Sequence, residues 1–169
     1  MKSVGHGLTT KADLENSAEV WALMLALSQD IGHKLRKYDK RAGGVQIDIR
    51  NNQLKTKQWQ CKLSPHTNSA AIIAKAAYTL FEKSYSWDYP IRSVTVRAID
   101  LYAASAPEQL DMFGNVSVVD KKERLESVVE EIHRRFDKNS ILPATISRSL
   151  PKLPTDREVE IRMPTGMLS

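Results

Sequence analysis

Residues 43–63 read GGVQIDIRNNQLKTKQWQCKL, and the period of this stretch decides the fold. Val45, Ile47 and Ile49 alternate with Gln46 and Asp48, the two-residue repeat of a strand buried on one face. Asn51-Asn52 signals a turn. Residues 54–63 then alternate again, with Trp59, Cys61 and Leu63 on one side and Gln58, Gln60 and Lys62 on the other. The stretch predicts a hairpin with one apolar and one polar face, which needs a cover on one side only.

Working outward, that cover is found in two amphipathic segments. Before the hairpin, Asn16-Ser17-Ala18-Glu19 has the form of a capping box. It opens a helix with the apolar stripe Val20, Trp21, Met24, Leu27, Ile31 and Leu35. Lys34, Arg36 and Lys37 suit the negative end of its dipole, and Gly43-Gly44 is the expected break. After the hairpin, Pro65 is expected to interrupt the chain. Asn68 is the expected cap of a second helix bearing Ile72, Ile73, Ala76, Ala77, Leu80 and Phe81. Flanking strands follow from KSVGHGLT (2–9) and IRSVTVRAI (91–99); in the latter Val94, Val96 and Ala98 oppose Ser93, Thr95 and Arg97. The fold class is therefore α+β, in the order β-α-β-β-α-β over residues 1–102: a four-stranded sheet with two helices on one face. The open face would show Ser3, Gly5, Gly7, Gln46, Asp48, Arg50, Gln58, Gln60, Lys62, Ser93, Thr95 and Arg97, with no large apolar group.

Residues 103–119 read as a linker of small residues that carries an apolar cluster, PEQLDMFGN (107–115). A further helix is expected over 120–142, capped by Asp120, with the stripe Leu125, Val128, Val129, Ile132 and Phe136. That stripe needs a cover: the sheet domain, another domain, or a second copy through self-association. Residues 151–169 hold three prolines, and 143–169 read as a flexible tail.

Composition bounds what such a chain can do. The 169 residues are 41% hydrophobic and 27% charged, as in a globular domain. No apolar run reaches the roughly 20 residues of a bilayer span, and the N-terminus has no signal-peptide pattern, so no membrane role and a cytoplasmic location are expected. Residues 1–102 carry 15 Lys+Arg against 9 Asp+Glu, and residues 103–169 carry 10 against 11. A basic first part suggests a polyanionic partner. His6, His33, His66 and His133 are scattered and Cys61 has no CxxC companion, so no metal site is expected.

Taken together, four motifs resemble one family. KSVGHGLT (2–9) resembles the opening of the little-finger domain of Y-family translesion DNA polymerases. LALSQDIGHKLRKYDKRAGGVQIDIR (25–50) and VRAIDLYAASAPEQLDMF (96–113) resemble its helix-to-strand passage and its exit into a clamp-binding peptide. RLESVVEEIHRRFDKNSI (124–141) is similar to the tail helix of bacterial polymerase IV and V relatives, in the ImpB/MucB/SamB family. The resemblance covers residues 2–142.

The resemblance implies a domain that grips duplex DNA by its backbone, without reading bases, through Ser3, Gly5, Gly7, Arg50, Lys62, Ser93, Thr95 and Arg97. The glycines would let backbone N–H groups approach phosphates, and the cations would add charge-assisted contacts. It also implies that Gln109, Leu110, Asp111, Met112 and Phe113 bind the bacterial sliding clamp, with Met112 where the family usually has leucine. Nucleotidyl transfer in the family belongs to a palm domain that precedes the little finger. Residue 48 offers one isolated carboxylate, Asp48, where two-metal chemistry needs a cluster. No catalytic residue and no cofactor are expected in this chain, Mg²⁺ belonging to the palm, and Met1 reads as the start either of an excised domain or of a natural truncated product. The parent would be a polymerase of DNA repair, damage tolerance and the SOS response. Two other readings stay open: a stand-alone adaptor or competitor for clamp or DNA, and a generic nucleic-acid-binding module.

Overall fold

The computed structural model describes residues 2–106, 116–137 and 140–149. Its first six elements are β1 (Ser3–Leu14), α1 (Ser17–Lys37), β2 (Lys40–Asn51), β3 (Thr56–Thr67), α2 (Ala70–Ser84) and β4 (Ile91–Ala103). The strands form one antiparallel sheet in the order β1-β4-β2-β3. α1 and α2 cover one face. Between them and the sheet lie Val45, Ile47, Ile49, Val94, Val96 and Ala98, all but excluded from solvent, packed against Leu23, Met24, Ile31, Ile73 and Phe81. The α+β architecture with its β-α-β-β-α-β order is as expected from the alternating strands.

Local chemistry explains most element ends. Asn16 caps α1 by accepting the Glu19 N–H at 3.0 Å, and the Glu19 carboxylate reaches back to the Glu15 N–H at 3.2 Å. In the hairpin, the Asn51 side-chain oxygen accepts from the backbone N–H groups of Gln53 and Lys55.

Three expected boundaries are corrected. Gly43-Gly44 does not end α1. The helix stops at Lys37, and Asp39 reverses the chain with φ 51°, while both glycines lie inside β2. Gly43 is there for space: a Cβ would stand 2.7 Å from the Tyr102 ring, which stacks on His66. Pro65 does not interrupt β3 either. The register between β2 and β3 jumps between Gly44–Lys62 and Ala42–Thr67, and Pro65 sits in that irregularity, where no ladder donor is required of it. Finally, Ser69, not Asn68, caps α2, by accepting the Ile72 N–H.

Two elements follow the sheet domain. α3 (Val116–Phe136) begins four residues before the expected start, so Asp120 lies within the helix and does not cap it. α4 (Ala144–Ser149) is a short helix in the stretch expected to be tail; it packs on α1 and buries Ile146. The expected flexible tail from residue 150 onward lies outside the described residues.

Candidate nucleic-acid interface and the helix latched beside it

Strand register sorts the open sheet face into four rows. They are Ser3–Ile99–Gly44–Lys62, Gly5–Arg97–Gln46–Gln60, Gly7–Thr95–Asp48–Gln58, and Thr9–Ser93–Arg50–Thr56. Every sheet residue expected on this face is on it, in rows about 6.7 Å apart, two residues along each strand. Three cations therefore share one surface: Arg97 near its middle, Arg50 at one end and Lys62 at the opposite corner.

Contacts within the face refine those roles. Arg97 lies 3.4 Å from the Asp48 carboxylate, whose other oxygen accepts from the Gln46 amide at 3.1 Å. Asp48 is thus the counter-ion of the central arginine. Arg50 reaches past Ser93 to the Thr9 hydroxyl at 3.4 Å. Gly5 and Gly7 make room for side chains on the neighbouring strand: a Cβ at Gly5 would stand 2.7 Å from Arg97 Cγ, and one at Gly7 2.3 Å from Thr95 Oγ1. The glycines seat Arg97 and Thr95 low over β1, a role not expected from their size alone.

Four face residues lie outside the expected set although the period points to each of them: Thr9, Gly44, Thr56 and Ile99. Thr9 continues the series Ser3, Gly5, Gly7, and Ile99 continues Ser93, Thr95, Arg97. Ile99 corrects the expectation of a face without large apolar groups. It leans over Gly44, where a Cβ would meet Ile99 Cγ1 at 2.9 Å. The residues of the expected clamp peptide, Gln109, Leu110, Asp111, Met112 and Phe113, lie outside the described residues.

α3 is held by its carboxylates. Glu123 accepts from the Thr67 hydroxyl at 2.8 Å, the Asn68 N–H at 3.1 Å and Arg41 at 2.8 Å. One turn on, Glu126 accepts from the Ser69 hydroxyl and from the N–H groups of Ala70 and Ala71, the first turn of α2. Arg36 at the end of α1 bonds both Glu126 and Glu130, and His33 adds a contact of 2.7 Å to Glu130. This acidic ladder meets the unpaired donors and the positive dipole end of α2. Among the described residues the apolar stripe is not the docked side: Leu125 is 63% exposed, Val128 58% and Phe136 74%.

The latch has a pH signature. Burial pushes the Glu130 carboxyl up, but Arg36 and His33 beside it together outweigh burial and hold it below the usual glutamate range. A carboxyl depressed in the folded state stabilises fully above its unfolded value, about 4.3, and loses that contribution as pH falls through the folded value. The backbone signals of Ala70 and Ala71 are therefore expected to report a docked α3 from pH 7 down to about 4.3, then release below it. In Glu130→Gln this component of the acid transition should vanish; an unchanged transition would remove Glu130 from the latch.

Among the described residues no three His, Cys, Asp or Glu side chains group as metal ligands, and no helix is long and apolar enough to cross a membrane.

Comparison with known proteins gives this geometry a family. The model of the impB/mucB/samB family C-terminal domain matches residues 1–112. DNA polymerase IV of Acetivibrio thermocellus is 33% identical over 141 residues, which are 83% of this chain and 35% of that protein. DNA polymerase IV of Alkaliphilus oremlandii is 26% identical over 154 residues, 86% of this chain and 38% of the relative. DNA polymerase IV 2 of Halalkalibacterium halodurans is 28% identical over 144 residues, 83% and 34% respectively. The chain thus spans little more than a third of the length of these relatives. With the match running from the first strand through the last, over the sheet that carries Arg50, Lys62 and Arg97, the chain belongs to the impB/mucB/samB family as a C-terminal domain.

Proposed function

We propose that this chain grips duplex DNA through its open sheet face and tethers its parent, a Y-family translesion polymerase of damage tolerance, to the bacterial sliding clamp. The observation that carries the reading is the placement of Arg50, Lys62 and Arg97 on one exposed and mostly polar face that holds a single carboxylate, Asp48. Such a face offers charge to phosphates and little that distinguishes one base from another, which suits an enzyme that must pass altered bases. In this reading Ser3, Ser93 and Thr95 add hydroxyl donors to the phosphate contacts, and Gly5 and Gly7 let Arg97 and Thr95 lie close over β1. Polymerisation and its Mg²⁺ belong to a palm domain outside this chain, and the setting is cytoplasmic. Gln109–Phe113 serve as the clamp peptide, Leu110, Met112 and Phe113 filling an apolar pocket while Gln109 bonds at its edge.

Salt titration of duplex binding tests the first half. Three cations engaged with phosphates predict a log–log slope of about −2.7, roughly 0.9 for each contact. A flat dependence would sink the role of the face. For the second half, replacing Leu110, Met112 and Phe113 by alanine is expected to abolish clamp binding and leave duplex affinity unchanged. Retained clamp binding would reassign the peptide.

A further inference from the structure

α3 contains five cations, Lys121, Lys122, Arg124, Arg134 and Arg135, and five carboxylates, so by sequence it is neutral. The latch changes this balance. Glu123, Glu126 and Glu130 are turned inward and bonded, leaving Asp120 and Glu131 as the acids outside it. Arg134 and Arg135 both bond the Glu131 carboxylate. On a helix turning about 100° per residue, Val118, Leu125, Val129, Ile132 and Phe136 form one stripe roughly a third of a turn from the docked acids, with Val128 at its edge. Val118 is 48% exposed, beside the larger exposures of Leu125, Val128 and Phe136. Val129 and Ile132 in the middle of the stripe are half-buried, while Val118, Leu125, Val128 and Phe136 stay exposed, and its borders are cationic.

A second feature adjoins it. Between β3 and α2 lies a groove of about 380 Å³ floored by Cys61, Ile72, Ala76 and Leu80. Lys75, Lys83 and Lys122 rim it, and Lys122 stands on α3 one turn from Val118. Stripe and groove therefore share a border, and both combine an apolar centre with a positive edge.

We propose that this composite surface docks a helical segment of a partner protein whose apolar face is flanked by carboxylates. Charge selects that occupant over a second copy, because pairing α3 with itself sets two cationic borders against each other. Shape selects it over a bilayer, since a concave groove receives a protruding side chain and a flat surface leaves it unfilled. The acidic latch gives the surface its rigidity: α3 is fixed by the side that the partner does not need.

The test uses the full chain and two fluorescein-labelled synthetic amphipathic helices, one of Glu and Leu, the other of Lys and Leu, read by fluorescence anisotropy. The acidic peptide is expected to bind at least tenfold more tightly than the basic one. Leu125→Ser with Val128→Ser should weaken it at least tenfold, and Lys122→Glu with Lys83→Glu should do the same. Circular dichroism keeps the comparison sound, because these side chains are exposed or at the groove rim and the variants should retain wild-type helix content. Equal binding of both peptides, or binding indifferent to Leu125 and Val128, overturns the proposal. A concentration-dependent dimer abolished by Leu125→Ser would give the stripe to a second copy. Association with phosphatidylglycerol vesicles that the acidic peptide fails to displace would give it to a membrane. Hydroxyl-radical footprinting that finds Leu125 and Phe136 protected in the free monomer would give it to the chain's own residues. None of these outcomes bears on DNA gripping, which rests on the opposite face of the sheet.

Discussion

Glu126→Gln is expected to release α3 from the sheet domain, weakening its docking by about 3 kcal/mol, the low end for breaking a largely buried charged contact. The carboxylate accepts four hydrogen bonds: from the Ala70 N–H at 2.7 Å, the Ala71 N–H at 3.0 Å, the Ser69 hydroxyl at 2.6 Å and Arg36 at 3.0 Å. All four partners are donors. A glutamine amide keeps one oxygen but turns an NH₂ group toward donors, and it removes the negative charge that both Arg36 and the N-terminus of α2 require. Amide hydrogen exchange along 116–136 would read the release directly, as a loss of protection with the sheet amides unchanged. Glu131→Gln is the control: Glu131 bonds only Arg134 and Arg135 of its own helix among the contacts found, so docking should be untouched. If Glu126→Gln left α3 protected, the apolar side of the helix, not the acidic ladder, would have to be holding it.

The second large effect concerns the centre of the sheet face and rests on the proposed DNA role. Arg97→Ala should cost more than one phosphate contact, because it also leaves Asp48 uncompensated on the surface that meets the duplex. The two side chains are 3.4 Å apart, and only 17% of the Asp48 side chain is exposed, so its charge is poorly screened. Removing the cation should flatten the log–log salt slope by about 0.9 and lower affinity roughly tenfold or more at moderate salt. Asp48→Asn should act in the opposite direction, freeing Arg97 and tightening binding severalfold. The double substitution should bind better than Arg97→Ala alone. Arg50→Ala, whose side chain meets a neutral hydroxyl at Thr9, should show the simple loss of one contact. Equal losses from Arg97→Ala and Arg50→Ala would mean that Asp48 has no part in setting the charge of the face.

Much of the fold was legible because strand and helix periods record which side of each element is buried. Val45, Ile47 and Ile49 against Gln46 and Asp48 placed the hairpin, and the same alternation in β4 placed Arg97 and Thr95 on the open face. Where a residue type has two uses, local sequence does not say which one applies. Gly43-Gly44 suggests a break, yet serves close packing under Tyr102 and Ile99. Pro65 suggests an interruption, yet rests in a register irregularity of an edge strand. Both uses follow from what lies beside the residue in space, which local sequence does not contain.

α3 marks the boundary between the two kinds of information. By itself the sequence determined that 125–136 is an amphipathic helix, because its apolar residues recur at helical spacing; it determined the sheet and its polar face for the same reason. Which side of α3 turns inward was decided only in the tertiary structure. Periodicity assigns the apolar stripe to the interior, but the core of the sheet domain is already closed by α1 and α2. The surface left for α3 is Thr67, Asn68, Ser69, Arg36 and Arg41 around the start of α2, a concentration of donors and positive charge. Against that surface carboxylates gain more than methyl groups, so Glu123, Glu126 and Glu130 face inward while Val118, Leu125 and Val128 remain outside.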